Sequence, residues 1–349
     1  MSVLNVHQIL SGAGPYDAVT TQALAFRDLF KRWGWGGRDV AAEIDPRIGD
    51  RIAPLRTLWA GATRPDDVLL VHYSAYAPKL RAVLELPQRK LLISHNITPA
   101  RWFWDHDPQA AVVCALGRKQ LPEFAAAVDV AAGVSLYNAR ELGSETVIPI
   151  LFDPAGLGAP QAQDPQAGPP TILFVGRLAP HKRQDAIIRA FELYRRRHAP
   201  GARLVLVGAP INWAYDAAMR ELADELSPGH VTIESGLTRE QLAARWRSAH
   251  AFVCLSEHEG FCIPLLEAFH FGVPVIARAI GGVPEVAGDA ALLLAAQDDE
   301  SVAAELLELA VADGELRAAL RERGAARVAA YAPEPTARTL RGALESLAW

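Results

Sequence analysis

Short apolar runs alternate with longer stretches of helical periodicity along the 349 residues of this chain. Residues 3–9, 68–72, 91–94 and 128–132 read as strands, because leucine and β-branched side chains cluster there. Residues 18–32 and 108–127 carry apolar positions at the spacing of one helix face. This alternation predicts a parallel sheet flanked by helices. The texture changes after Asp153. Residues 154–170 are rich in Pro, Gly, Ala and Gln and have no apolar period, which predicts a linker. Beyond it the same grammar restarts. Strands are expected at 171–175, 204–207, 231–234 and 251–255, and helices at 184–197, 215–226 and 239–247. From Asp299 onward the chain reads as Ala/Leu/Glu/Arg-rich helix. The expected fold class is α/β: two Rossmann-like lobes, residues 1–160 and 161–334, with a cleft between them. A last helix near 335–349 is expected to pack back on the first lobe.

Composition narrows the class. Half the residues are apolar and 21% are charged, the balance of a globular protein. The length calls for two cores rather than one. No run is long and apolar enough to predict a membrane span, and residues 1–5 lack the basic start of a secretory signal. Three cysteines, Cys114, Cys254 and Cys262, are odd in number and lack metal-ligand spacing in sequence, so reduced thiols in the cytoplasm are expected. A net charge of −5 argues against nucleic acid as a partner. The deficit is local: residues 1–160 carry 16 Lys/Arg and 16 Asp/Glu, and the remainder carries 19 and 24.

The densest chemistry lies in Glu259-Gly260-Phe261-Cys262-Ile263-Pro264-Leu265-Leu266-Glu267. A helix starting near Ile263 leaves Glu259 in the preceding loop and Glu267 one turn inside. The open N–H groups and partial positive charge of such a helix end suit a phosphate. The two carboxylates suit sugar hydroxyls, so the pattern fits a nucleotide sugar. Upstream, the strand at 171–175 ends in Gly176-Arg177, with Lys182 after a short loop. Arginine grips a diphosphate as a fork and lysine as a point charge. Taken alone, Arg177 and Lys182 read as solvated loop charges, Glu259 as a charge serving the helix dipole and Glu267 as an exposed helix residue. Together, at the carboxyl ends of strands, they read as one site.

These stretches resemble the retaining glycosyltransferases of the two-lobe GT-B architecture, family 4. The matching residues are Val175-Gly176-Arg177 with Lys182, Gly236 with Glu240-Gln241-Leu242, Ser256 through Ala268, Gly272-Val273-Pro274-Val275-Ile276, and Gly281-Gly282-Val283-Pro284-Glu285. They cover most of residues 171–295. The resemblance implies that Arg177 and Lys182 hold the donor diphosphate. It implies that Glu259 and the backbone of Gly260, Phe261, Cys262 and Ile263 hold the transferring hexose, and that Glu267 accepts ribose hydroxyls. Gly236, Leu237 and Thr238 would lie beside the base. In the first lobe, Ser11-Gly12-Ala13-Gly14 looks like the glycine loop that faces the diphosphate, and His95 like the active-site histidine. The implied reaction moves a hexosyl group from a GDP- or UDP-hexose to a hydroxyl of a glycan, lipid-linked or small-molecule acceptor, in cell-surface glycan or glycolipid assembly. No cofactor and no metal is implied.

Three departures from the family pattern stand out. Cys262 occupies a usual glycine position, where a backbone contact survives only at negative φ. Pro149-Ile150-Leu151-Phe152-Asp153 replaces the usual Pro-Asn-Gly-Val-Asp, and Pro15-Tyr16-Asp17 follows Gly14.

Other motifs keep plainer readings. His72, His106, His181 and His258 read as core or rim residues. Asp105-His106-Asp107 looks like a metal-binding Asp-x-Asp but reads better as a helix start before Pro108. Residues 101–104 read equally as an acceptor-site lining or a core cluster. Residues 26–38 combine Arg27, Lys31, Arg32 and Arg38 with Trp33 and Trp35. Buried tryptophans under a solvated face are the preferred reading, and peripheral contact with the inner membrane face is the other. A nicotinamide-binding fingerprint fails, because Gly12-Ala13-Gly14-Pro15-Tyr16-Asp17 lacks its third glycine. A nucleotide-sugar epimerase or a non-catalytic nucleotide-sugar binder of the same fold remains as the alternative.

Overall fold

The computed structural model describes residues 4–15, 17–60, 63–160 and 168–347; Val3, Tyr16 and residues 161–167 of the expected linker lie outside them. The chain forms two compact units. Unit 1 comprises Met1–Ala100, Gln109–Leu151 and Pro333–Trp349, and unit 2 comprises Arg101–Pro108 and Phe152–Ala332.

Unit 1 runs β1 (Val6–Ala13), α1 (Ala18–Arg32), β2 (Asp39–Ile44), β3 (Ala53–Pro54), α2 (Thr57–Ala60), β4 (Val68–Tyr73), α3 (Arg81–Leu84), β5 (Arg89–Ser94), α4 (Pro108–Ala126), β6 (Val130–Gly133) and α5 (Leu136–Glu141). Unit 2 follows with β7 (Thr171–Val175), α6 (Gln184–Arg197), β8 (Arg203–Val207), α7 (Trp213–Leu226), β9 (Val231–Glu234), α8 (Arg239–Ser248) and β10 (Ala251–Cys254). It continues through α9 (Ile263–His270), β11 (Val275–Arg278), α10 (Val283–Ala287), β12 (Ala291–Leu294), α11 (Glu300–Ala312) and α12 (Gly314–Ala330). The final helix, α13 (Pro333–Glu345), returns to unit 1.

Each unit holds a six-stranded sheet, in the orders β3-β2-β1-β4-β5-β6 and β12-β11-β10-β7-β8-β9. All the pairings are parallel. Both are the doubly wound Rossmann order, in which the chain winds outward in both directions from two adjacent central strands. Those pairs are β1/β4 and β7/β10. Both central strands of unit 2 are buried along most of their length, and Ile187, Phe191 and Tyr194 of α6 pack against the sheet. Continuous apolar runs, rather than alternating ones, follow from helices covering both faces.

Most elements fall where the periodicity expects them. The differences are informative. β1 begins at Val6 and extends through Ala13, so Gly12 lies in the strand, in register with Glu43, and not in a loop. β2, β3 and β12 were not expected. Asp39–Ile44 and Ala291–Leu294 are short and rich in alanine or leucine, and pairing with β1 and β11 makes them strands.

Candidate functional site

In unit 2 the topological switch point is occupied by two loops, one after β7 and one after β10. Residues 176–183 leave β7 and turn through a 3₁₀ segment at Pro180–Lys182. The buried amide of Gln184 clamps this loop. Its Oε1 accepts from the Ala179 N–H at 3.3 Å and the Tyr215 hydroxyl at 2.8 Å, and its Nε2 donates to the Arg177 carbonyl at 3.2 Å. Residues 255–262 leave β10 almost wholly buried. The two loops are tied by the Glu257 N–H donating to the His181 carbonyl at 2.8 Å, by the Arg183–Glu257 ion pair, and by Lys182.

Lys182 Nζ donates to Glu259 Oε1 at 2.6 Å, with the two side chains 20% and 7% exposed. Burial acts to lower the Lys182 pKa, but the Glu259 carboxylate outweighs it and raises it. Burial likewise acts to raise Glu259, and the Lys182 ammonium with the Ser256 hydroxyl brings it below the usual carboxylate range. The pair is therefore fully ionised. Arg177, by contrast, is exposed and has no ion-pair partner among the described residues. Glu267 is partly buried one turn inside α9 and has no side-chain partner among the described residues; burial pushes its carboxyl up to about 7. Unpaired groups of this kind at a strand-end loop are what a polar ligand completes.

The backbone around Glu259 is held by glycine. Gly281 has φ +57°, and a Cβ there would lie 2.0 Å from the Glu259 carbonyl oxygen, which also accepts from the Gly282 N–H at 3.0 Å. Cys262 precedes α9 at φ 73°, in the left-handed region. The negative φ that would preserve an ordinary backbone contact there is not found. No side chain caps α9. Pro264 has no N–H and the Leu265 N–H donates to the Cys262 carbonyl at 3.1 Å, so this first turn offers fewer free N–H donors than an ordinary helix start.

The opposite holds at α1 in unit 1. The Asp17 carboxylate accepts from the N–H groups of Val19 and Thr20 at 3.3 and 2.9 Å and from the Thr20 hydroxyl at 2.7 Å. The Gly14 N–H donates to the Thr20 hydroxyl at 3.1 Å. An anion of the chain itself already fills this helix end, and neither Gly12 nor Gly14 has positive φ or a backbone neighbour that a Cβ would strike. The Gly14 N–H is therefore already engaged within the chain, and Gly12 lies inside β1.

His95 follows β5 and sits in a hydrogen-bond chain invisible in the sequence. Gln8 Nε2 donates to the Ala23 carbonyl at 2.7 Å and to Asp39 Oδ1 at 2.8 Å. Two acceptors around the nitrogen settle the amide's orientation, so Gln8 Oε1 accepts from His72 Nε2, 3.0 Å away. His72 Nδ1 then accepts from His95 Nε2 at 2.9 Å. Burial lowers the His95 pKa to about 3 and keeps His72 well below its ordinary value, so both rings are neutral. The chain of donors leaves His95 Nδ1 as an acceptor.

The other residues singled out in the sequence lie on further loops and helices. Gly236, at φ 70°, and Leu237 connect β9 to α8, and Thr238 caps α8 through a capping box with Gln241. Phe103 packs edge-on to His181, with centroids 5.6 Å apart, and Asn212 Nδ2 donates to the His106 carbonyl at 2.7 Å. Residues 101–108 thus pack in unit 2. Trp33 and Trp35 lie edge to face in unit 1 with Arg341 of α13 over both rings, at 5.6 and 5.8 Å. Among the described residues no helix is long and apolar enough to cross a membrane.

Residues 159–327 match the family model described as glycosyl transferases group 1. This stretch is similar to that family over a little under half of the chain. It contains the two loops, α9 and Gly281 just described. The D-inositol 3-phosphate glycosyltransferase of Mycobacteroides abscessus is 34% identical over 164 residues, 45% of this chain and 36% of that protein. A GDP-mannose-dependent alpha-(1-6)-phosphatidylinositol monomannoside mannosyltransferase of Mycobacterium tuberculosis is 38% identical over 124 residues, 33% of this chain and 31% of its own length. The matched stretch therefore spans about a third of these relatives. Among solved structures, sucrose-phosphate synthase from Thermosynechococcus elongatus aligns with a TM-score of 0.78 at 19% identity, covering 99% of both chains. Anabaena HepE, solved with UDP and glucose, aligns at 0.73 and 14% identity, over 98% of this chain and 100% of that one. The two six-stranded units share the GT-B fold of these proteins.

Proposed function

We propose that this chain is a retaining glycosyltransferase that moves a hexosyl group from a GDP- or UDP-hexose to a hydroxyl acceptor in glycan or glycolipid assembly. The observation that carries the reading is the buried Lys182–Glu259 pair beside the start of α9, which no side chain caps, with Arg177 and Glu267, near in sequence, lacking side-chain partners among the described residues. The names of the relatives, inositol phosphate glycosyltransferase and mannosyltransferase, support a nucleotide-sugar donor of this class.

In the proposed reaction the bond between sugar C1 and the diphosphate oxygen breaks. Negative charge grows on the leaving diphosphate, and Arg177, Lys182 and the α9 N–H groups stabilise it as preorganised positive charge. Positive charge grows on the sugar ring, where Glu259 serves as hydroxyl acceptor and counter-charge. The acceptor oxygen attacks C1 on the face the diphosphate leaves, and its proton passes to a diphosphate oxygen, so configuration is retained and no metal is needed. Glu267 accepts ribose hydroxyls, and His95 Nδ1 offers an acceptor for a further hydroxyl.

The test is turnover with labelled nucleotide hexoses. Arg177→Ala is the clean variant, because its side chain is exposed and has no ion-pair partner among the described residues; it should lose about 100-fold or more in kcat with unchanged stability. Lys182→Ala and Glu259→Gln should abolish transfer, although breaking the buried pair also lowers stability by about 3–5 kcal/mol. Near-normal turnover in folded Lys182→Ala would refute the assignment.

A further inference from the structure

The two cysteines of unit 2 that flank Glu259 meet in space. Cys254 Sγ and Cys262 Sγ lie 3.9 Å apart, and Cys254 Sγ lies 3.8 Å from Glu259 Oε1. The ligand atoms of all three residues fall within 4.8 Å of one another. All three are buried, at 2%, 7% and 5% exposure for Cys254, Cys262 and Glu259. The strand end and the helix start bring together thiols whose sequence spacing gives no hint of it.

Two features point to a cation. Thiolates on one tetrahedral zinc-class ion, each about 2.3 Å from it, stand about 3.8 Å apart. The sulfurs already have that separation, whereas a disulfide needs them at about 2.0 Å. The second feature is strain. A non-glycine residue in the left-handed region costs about 1–2 kcal/mol, and Cys262 accepts this without capping α9. What its side chain does instead is face Cys254.

We propose that Cys254, Cys262 and Glu259 bind one divalent cation of the zinc class. Two thiol protons leave as the ion enters. The ion's two positive charges match the two new thiolates, so the buried cluster, with Lys182 and Glu259 still charged, keeps its neutrality. Soft thiolate ligands select zinc or cadmium over magnesium. Coordination takes up the Glu259 carboxylate and so competes with Lys182 and with a sugar ligand. The ion is not required for transfer; it opposes it. This last consequence rests on the donor role proposed above, and the binding site itself does not.

The experiment is a Co²⁺ titration of the reduced full-length protein. One equivalent should produce a near-ultraviolet thiolate-to-cobalt band with tetrahedral visible bands, displaced by Zn²⁺ and untouched by Mg²⁺. Cys254→Ser and Cys262→Ser should lose the thiolate band, Glu259→Gln should keep it with at least tenfold weaker binding, and Cys114→Ser should match wild type. Cys262→Gly guards against misfolding, because it relieves the left-handed strain and should still lose the band. No thiolate band in wild type, or an undiminished one in Cys254→Ser, overturns the site. In a second arm, Zn²⁺ should weaken nucleotide-sugar binding at least tenfold in wild type and not in Cys254→Ser. Donor binding indifferent to Zn²⁺ in cobalt-competent protein overturns the inhibition. A metal-free protein that binds no nucleotide sugar overturns the donor role while the cobalt spectrum still decides the site.

Discussion

Glu267 makes a pH prediction. Burial alone raises its carboxyl from an ordinary 4.5 to about 7, and no side chain among the described residues shares its proton. A folded state that holds this proton more tightly than the unfolded chain loses stability as pH rises from 4.5 through about 7. A ribose that donates hydroxyls to Glu267 prefers the carboxylate, so donor binding releases a proton. Donor affinity should therefore rise as pH climbs through about 7 and level off above it, with the dependence absent in Glu267→Gln. Calorimetry in buffers of different ionisation enthalpy reads both the affinity and the proton; a flat profile would count against the ribose role. Gln8 makes a prediction of another kind. Ring ¹⁵N shifts should show His72 and His95 neutral and protonated at Nε2, and Gln8→Leu, which removes the acceptor for His72, should mix the tautomers. A His95 protonated at Nδ1 in wild type would contradict the hydrogen-bond chain. Arg177, Lys182, Glu259 and Glu267 were legible in the sequence because a local strand–loop–helix pattern announces them. Gln8 and His72 were not, since their partners lie on separate strands and only register brings them together.

At the scale of elements, the two helix starts resemble each other in sequence and differ in structure. α1 begins with its donors taken by Asp17, and α9 begins without a side-chain cap. An aspartate just before a run of helical periodicity is readable as a cap, and Asp17 is one. Glycines separate in the same way. Gly281→Ala puts a Cβ into the Glu259 carbonyl from a left-handed φ and should cost about 2–4 kcal/mol in urea unfolding, with a loss of turnover as Glu259 shifts. Gly14→Ala meets open space at negative φ and should leave stability within about 0.5 kcal/mol. Equal effects of the two substitutions would remove the distinction between a required and an incidental glycine. β7, α6 and β9 match their expected spans to the residue, because each is a continuous apolar or amphipathic run bounded by turn formers. β2, β3 and β12 escaped, because residues of weak strand preference became strands only through a neighbour's open edge.

At the scale of the molecule, the chain crosses between its units more than once. Residues 101–108 join unit 2 within the span of unit 1, and α13 rejoins unit 1 after unit 2 is complete. In unit 1, Leu340 and Leu344 of α13 are fully buried, and Arg341 covers Trp33 and Trp35. That packing covers the rings of Trp33 and Trp35 and leaves Lys31, Arg32 and Arg38 exposed. The sequence by itself determined the two α/β units, the strand-end position of the charged motifs and the helix that starts at Ile263, because these depend on local periodicity and turn chemistry. Only the tertiary structure decided that Lys182 bonds Glu259, that Asp17 fills the first helix end, and that Cys254 meets Cys262. Each of those is a contact between segments brought together by strand order and burial, which spacing along a chain does not encode.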